Sequence, residues 1–445
     1  MGGIMSMGLS WGYSVAPQAG GVYMPGPLDG IRVLEFSEII AAPFAGMLLA
    51  DMGAEVIKVE PPWGEPWRLF QQFVPLESRT FISLNRGKRS LPLDLTRSEA
   101  RDIVYKLIPE IDVVIVNYRP DVPYRLGIDY ETLSTKNPKL IYCENTAFGR
   151  NGPDSQRPGY DIIAQAMTGL MAAEMRIVNN VPQMIQASPV ADFATGIAIA
   201  WGVSSALYVR ERTGRGQKIE ASLLGSALGV QTSRFLNTKL IDEAPLQEFL
   251  ADLDRLRKEG ASYEDISARY QEMRPRPPGN IYYRTYQAKD GVLAVGCLSD
   301  SLRKKLLGVL NLHDTRYDPG YDPATPEAHI VGEALIQQAE ELFRQKTVSE
   351  WLGILDAAGV PSGPLRFVEE LFNDEQVQAN DLVVEVEHPI AGPVAMVGPI
   401  IKMSETSLEA RTASPALGQD TGSILSTLGY SAEEIQRFRE DGVTY

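Results

Sequence analysis

Cysteine and histidine are both scarce here, with two cysteines and three histidines in 445 residues. Two cysteines, Cys143 and Cys297, build no disulfide framework, which fits a reducing, cytoplasmic setting. His313, His329 and His388 are scattered without metal-ligand spacing, so no metal site is expected. No stretch approaches the roughly 18 uninterrupted apolar residues of a membrane-spanning helix. Residues 1–28 hold no Lys, Arg, Asp or Glu. A secretory signal needs a basic start, so residues 1–27 read instead as a flexible tail. Positive charge is short as well: 42 Lys and Arg against 57 Asp and Glu leave a net charge of −15. That balance argues against nucleic acid or an anionic membrane as partner. An anionic ligand would have to be received by local basic residues.

What is present begins to alternate from Gly30 onward. Ile31–Phe36 reads as a strand, Ala41–Met52 as a short helix ending at Gly53, and Glu55–Glu60 as a second strand. Ser98–Ile108 follows as a helix, with Asp112–Asn117 and Leu140–Cys143 as further strands. Strands alternating with helices imply βαβ units, a parallel doubly wound sheet, and ligands at the carboxyl ends of its strands. A dinucleotide-binding dehydrogenase is excluded at the first turn. Ser37–Pro43 has no Gly-x-Gly-x-x-Gly, and the chain has no Walker-type phosphate loop.

Pro189–Gly196 concentrates the chemistry. It places Asp192 directly before a long apolar helix, Gly196–Arg210. Read as an N-cap, Asp192 would accept first-turn N–H bonds and be held ionised by the helix dipole. A fixed, charged carboxylate among small residues also suits a nucleophile. The plain alternative is that Asp192 only caps its helix.

Several segments together resemble the class III CoA-transferases, the group of formyl-CoA transferase, carnitine CoA-transferase and α-methylacyl-CoA racemase. They are Leu28–Phe36, Ala42–Pro62, Asn85–Ser90, Phe148–Pro153, Pro158–Asp161, the Asp192 segment and Thr213–Gln217. Each is weak alone; their shared order and spacing carry the likeness. The resemblance implies an α/β fold with a Rossmann-like large domain at 28–222, linker helices at 223–279, a smaller α+β domain at 280–366, and a return at 367–445. It also implies an interlocked dimer. Asp192 would attack an acyl-CoA thioester, giving an acyl–aspartyl anhydride and then an aspartyl-CoA thioester. No cofactor is then held permanently, because the CoA thioester is itself a substrate.

The same family includes a racemase, whose catalytic His would fall at Tyr160. A tyrosine with pKa about 10 is a poor replacement for a base poised near neutrality, so CoA transfer is favoured over racemisation. Asp161 reads as an N-cap for a helix over 162–171. Lys88, Arg89, Arg119 and Arg125 are the candidate cations for the CoA phosphates. Ile40 stands where formyl-CoA transferase has Gln, and no glycine run matches that enzyme's, the nearest stretch being Arg276–Asn280. Arg68, in Trp63–Arg68, together with Arg79 suggests a guanidinium for a second substrate carboxylate, hence a dicarboxylate pair such as succinyl-CoA with malate or a substituted succinate. The charged stretch Leu246–Met273 reads as a lid or subunit-contact helix. Pro389–Ile401 reads as a hairpin and Ala432–Glu440 as a helix. An acyl-CoA racemase or isomerase, and one subunit of a heteromeric transferase, remain as alternatives.

Overall fold

The computed structural model describes residues 25–274, 280–321 and 326–445. Most of the expected tail and the Arg276–Gly279 stretch lie outside them. Contacts divide the chain into two compact units. The first runs to Leu170, resumes over Ile185–Thr232 and returns at Val384–Tyr445; the second holds Met171–Met184 and Ser233–Val383.

The first unit is built on six strands: β1 (Arg32–Phe36), β2 (Glu55–Glu60), β3 (Lys88–Pro92), β4 (Val113–Val116), β5 (Ile141–Thr146) and β6 (Gln217–Ser222). They form one sheet in the order β6-β5-β4-β1-β2-β3, and every pairing is parallel. Four helices matter for the site: α1 (Ala41–Asp51), α2 (Asp161–Met167), α3 (Val190–Thr213) and α4 (Leu223–Gly229). A parallel sheet covered on both faces needs apolar residues at successive positions. Val113-Val-Ile-Val116 is accordingly buried throughout. Alternate residues serve opposite faces. Leu34, Phe36, Val114 and Val116 pack with the helix Ser98–Leu107 and with Ile424, Ile435 and Val443. Val33, Val56, Val113 and Ile115 pack beneath α1 and α3.

Two strands were not read from sequence. β6 carries Lys218 and Glu220 and is only part-buried, so it looks like a loop. β3 begins with Lys88-Arg89, which reads as a phosphate-binding loop yet pairs in register with Val56 and Ile57. The hairpin sits earlier than expected, with strands Val383–His388 and Gly392–Val397.

The second unit has its own core. An antiparallel sheet of Tyr283–Gln287, Val292–Gly296 and Ser362–Pro364 surrounds itself with helices, and Tyr286, Phe343 and Trp351 stack at its centre. Leu246–Met273 proves to be parts of two helices, Lys239–Lys258 and Tyr263–Met273. Gly260, with φ +70°, and the Ser262–Asp265 capping box break them apart. They bind each other: Phe249 packs on Tyr270 and Arg269 donates to Asp252 at 2.7 Å.

Candidate active site

From β1 the chain winds one way to β2 and β3, and from β4 the other way to β5 and β6. The order therefore reverses between β1 and β4, where the loops leaving their carboxyl ends open a crevice. A cavity of about 830 Å³ lies there, walled by Ile39, Ile40, Asn117, Tyr118, Tyr160 and Asp192 among others.

The β1 loop is held by three buried or part-buried groups. Asn117 accepts from the Glu38 N–H at 2.9 Å and donates to its carbonyl at 2.8 Å. Glu65 accepts from the Ile39 N–H at 2.8 Å, and Lys58 donates to the Ser37 carbonyl at 2.8 Å. Ile39 has φ +71°. A β-branched residue avoids that region, so the loop is strained into shape by these partners. Beneath it, Lys58 and Lys88 share Glu35, all fully buried. Burial alone would raise the Glu35 carboxyl, but the two ammonium groups hold it below the usual range. Burial also pushes Lys88 down to about 8 despite Glu35.

Asp192 is not the N-cap of its helix. α3 starts at Val190 behind Pro189, and Asp192 is the third helical residue. Its side chain is nearly buried and accepts a bond from the Ala41 N–H at the start of α1. Burial first, and then the Asp161 charge, push its carboxyl up to about 7, against the opposing pull of that N–H. The dipole does not hold it fully ionised, because desolvation outweighs it. Asp161, the first residue of α2 rather than its cap, accepts the Ala191 N–H at 2.7 Å. Gly196 lets the two helices cross closely. A Cβ there would lie 2.7 Å from the Ala41 carbonyl and 2.8 Å from the Phe44 ring. Gly196→Ala should therefore cost about 1–3 kcal/mol and slow turnover by shifting α1 away from Asp192. The urea midpoint and kcat of one preparation would report both.

The family model described as CoA-transferase family III matches residues 28–421. The chain belongs to that family. It is similar to the human succinyl-CoA:glutarate CoA-transferase, at 30% identity over 94% of this chain and 90% of the relative. It resembles the Agrobacterium fabrum succinate–glutarate CoA-transferase at 33% over 92% and 97%, and the formyl-CoA:oxalate CoA-transferase of Rhodopseudomonas palustris strain TIE-1 at 31% over 94% and 97%. Among solved structures, a CAIB/BAIF family protein from Brucella suis is 32% identical with TM-score 0.69, covering 91% of this chain and all of that one. Rv3272 from Mycobacterium tuberculosis gives 0.70 at 26% identity over 90% and 99%.

As a family III CoA-transferase, the protein is an enzyme whose substrates are acyl-CoA and carboxylic acids, and its cavity has to receive both. Ile40 and Tyr160 lie in the cavity wall, Tyr160 largely exposed. Arg119 is also in the wall, and Arg125, one helical turn beyond, is exposed; both reach Asp121, at 3.4 and 3.6 Å. Three expected cations are committed elsewhere. Lys88 is fully buried on Glu35, Asn85 and the Pro43 carbonyl. Arg89 binds Glu55, Asp420 and Ser423, away from the cavity wall. Arg68 is fully buried and forks onto Glu60 at 2.7 and 2.9 Å, so no substrate carboxylate reaches it. Arg79 is exposed and not part of the wall. Sequence reasoning missed Arg157, which lines the cavity beside Tyr160, pairs with Asp154 at 2.7 Å and lies over the Phe148 ring. Its signal was its place between the two motifs Phe148–Pro153 and Pro158–Asp161. Asn145 and Thr146, at the carboxyl end of β5, were missed with it. Among the described residues, no group of three or more His, Cys, Asp or Glu is placed to hold a metal ion.

Proposed function

We propose that this CoA-transferase works through Asp192 as a covalent nucleophile. One carboxylate oxygen attacks the thioester carbonyl, and the C–S bond breaks to give an acyl–aspartyl anhydride and CoA thiolate. The thiolate attacks the aspartyl carbonyl of the anhydride, releasing the donor acid and leaving an aspartyl-CoA thioester. An incoming carboxylate attacks that thioester, and the freed thiolate then takes the acceptor's acyl group, restoring Asp192. Each intermediate stays activated, so the thioester's energy is carried across without ATP.

The observation that carries this reading is a nearly buried carboxylate in the cavity wall, bonded by the Ala41 N–H at the sheet's switch point. Glu38 is the competing carboxylate in the same wall. Incubation with succinyl-CoA followed by hydroxylamine should leave an aspartyl hydroxamate at Asp192. A hydroxamate on Glu38, or none at all, would overturn the assignment.

For substrates we favour a dicarboxylate pair, such as succinyl-CoA with malate, a substituted succinate or glutarate. The printed names of the succinyl-CoA:glutarate relatives support it, and Arg157 and Arg119 replace Arg68 as the guanidinium groups in reach. A panel of acceptor acids tests this, and preference for monocarboxylates would sink it. The racemase alternative is disfavoured by Tyr160. The enzyme is further proposed to act as a dimer, homomeric or with a paralogous subunit. Trp201 and Tyr208 on α3 are large, apolar and mostly exposed, and a second chain would cover them. The two buried free thiols fit a reducing, cytoplasmic compartment.

A further inference from the structure

The start of α3 lacks a cap of its own. Pro189 stands at the N-cap position and offers no side-chain acceptor to the free N–H groups of the first turn. The acceptor comes from another helix. Asp161 Oδ1 takes the Ala191 N–H at 2.7 Å and the Asp192 N–H at 3.3 Å. Asp161 Oδ2 takes the Gln165 amide, and the Gln165 carbonyl oxygen takes the Ile185 N–H at 2.9 Å. Gln165 is fully buried and Asp161 nearly so. One turn of α2 thus grips the chain entering α3 at two points, five residues before the helix and inside its first turn.

We propose that Asp161 is the positioning residue of Asp192, capping α3 from outside and setting both the direction and the charge balance of the nucleophile. The inference rests on Asp192 being that nucleophile. Geometry carries the first part, because Asp161 bonds the backbone N–H of the reacting residue itself. Electrostatics carry the second. Two carboxylates held this close disfavour each other's ionised form. Acylation makes Asp192 neutral and removes the repulsion, so Asp161 raises the energy of the free carboxylate relative to the acylated enzyme. A more basic carboxylate is also the better nucleophile.

The other charged groups near α3 do not share this role. α1 carries no charge before Asp51, which is bound to Arg86 at its far end. α4 carries none. Glu144 and Glu220, on β5 and β6, are paired through Lys218. In the cavity wall, Glu38 is tied by its backbone to Asn117, and Arg157 by its side chain to Asp154. Asp161 is the charge that acts on Asp192.

The test is the pH dependence of single-turnover acylation, read as hydroxamate formed at Asp192. In the parent enzyme the rate should rise with pH through about 7, because attack needs the ionised carboxylate. Asp161→Asn keeps the shape and removes the charge. It should move the midpoint down by about one pH unit and slow acylation at the plateau by about tenfold or more. A profile that overlays the parent's after scaling would overturn the electrostatic part. Asp161→Glu keeps the charge and displaces the carboxylate by one methylene, so the midpoint should stay while acylation slows by about tenfold or more. Unchanged acylation in that variant would overturn the positioning part, even if Asp161→Asn fails to fold. A failure of the nucleophile assignment is told apart by the parent enzyme, which would then give no hydroxamate at Asp192.

Discussion

Asp192→Ala should lower CoA transfer by about four orders of magnitude or more, the size of loss seen when a covalent nucleophile is removed. The loss should be in kcat, with acyl-CoA binding little changed, because the cavity around position 192 is built by other residues. Asp192→Asn should be nearly as inactive, since an amide oxygen does not form the anhydride. Ion pairs do not hold this residue in place, so the alanine variant should keep the parent's urea midpoint within about 1 kcal/mol. Removing a half-ionised buried carboxyl takes away a desolvation cost along with a hydrogen bond. Steady-state assay with succinyl-CoA and an acceptor acid reads the first effect, and equilibrium unfolding reads the second. Turnover within a hundredfold of the parent would end the covalent mechanism.

The largest stability effect should come from Arg68→Met. The guanidinium forks onto Glu60, also reaches Glu77 at 3.3 Å and the Pro415 carbonyl at 3.0 Å, and lies over the Phe81 ring at 3.6 Å. All three charged side chains are fully buried. Removing the cation strands two carboxylates away from water, which costs about 3–5 kcal/mol. Burial has already pushed Glu77 up to about 7 with Arg68 present. Without that cation both acids should take up protons more readily. The variant's stability deficit should therefore shrink as pH falls below 7, because the folded form then binds protons the unfolded chain does not. Arg125→Met is the control: an exposed arginine with one distant partner should shift stability by less than about 0.5 kcal/mol. A deficit below about 1 kcal/mol for Arg68→Met would refute the reading of that cluster as internally paired.

Arg68 also shows where sequence reading stops. A guanidinium between two tryptophans after a strand looks like a substrate ligand until the fold places Glu60 and Glu77 around it. The same holds for Lys88, whose partner Glu35 is 53 residues away and becomes a neighbour only through the parallel pairing of β1, β2 and β3. Charged residues are almost never fully buried unless paired, and sequence alone does not show pairs made across strands. What could be read was local. The β1–α1–β2 segment announces itself by period and by glycine punctuation, and Asp192 by its place at the start of a long apolar helix. The cap on that helix could not be read, since Asp161 lies 31 residues back and resembles an ordinary first-turn acid of its own helix. β6 stayed hidden because its Lys218 and Glu220 look like a solvated loop.

The discontinuity of the first unit bears on how the chain is made. All six strands of the large sheet have been synthesised by Ser222, yet the sheet is then unfinished. β3 at its edge still waits for Asp420, which accepts from the Ser90 N–H, and Asp94 waits for the Val443 carbonyl. Ile424, Leu425, Ile435 and Val443 are missing from one face of the core. At about 5–20 residues per second, the interval lasts roughly 10–40 s. Throughout it an unpaired strand edge and an open apolar face stand in the cytosol of whatever cell expresses the gene. Soluble yield should accordingly depend on growth temperature and on chaperones that shelter nascent chains, more than on any residue that touches coenzyme A.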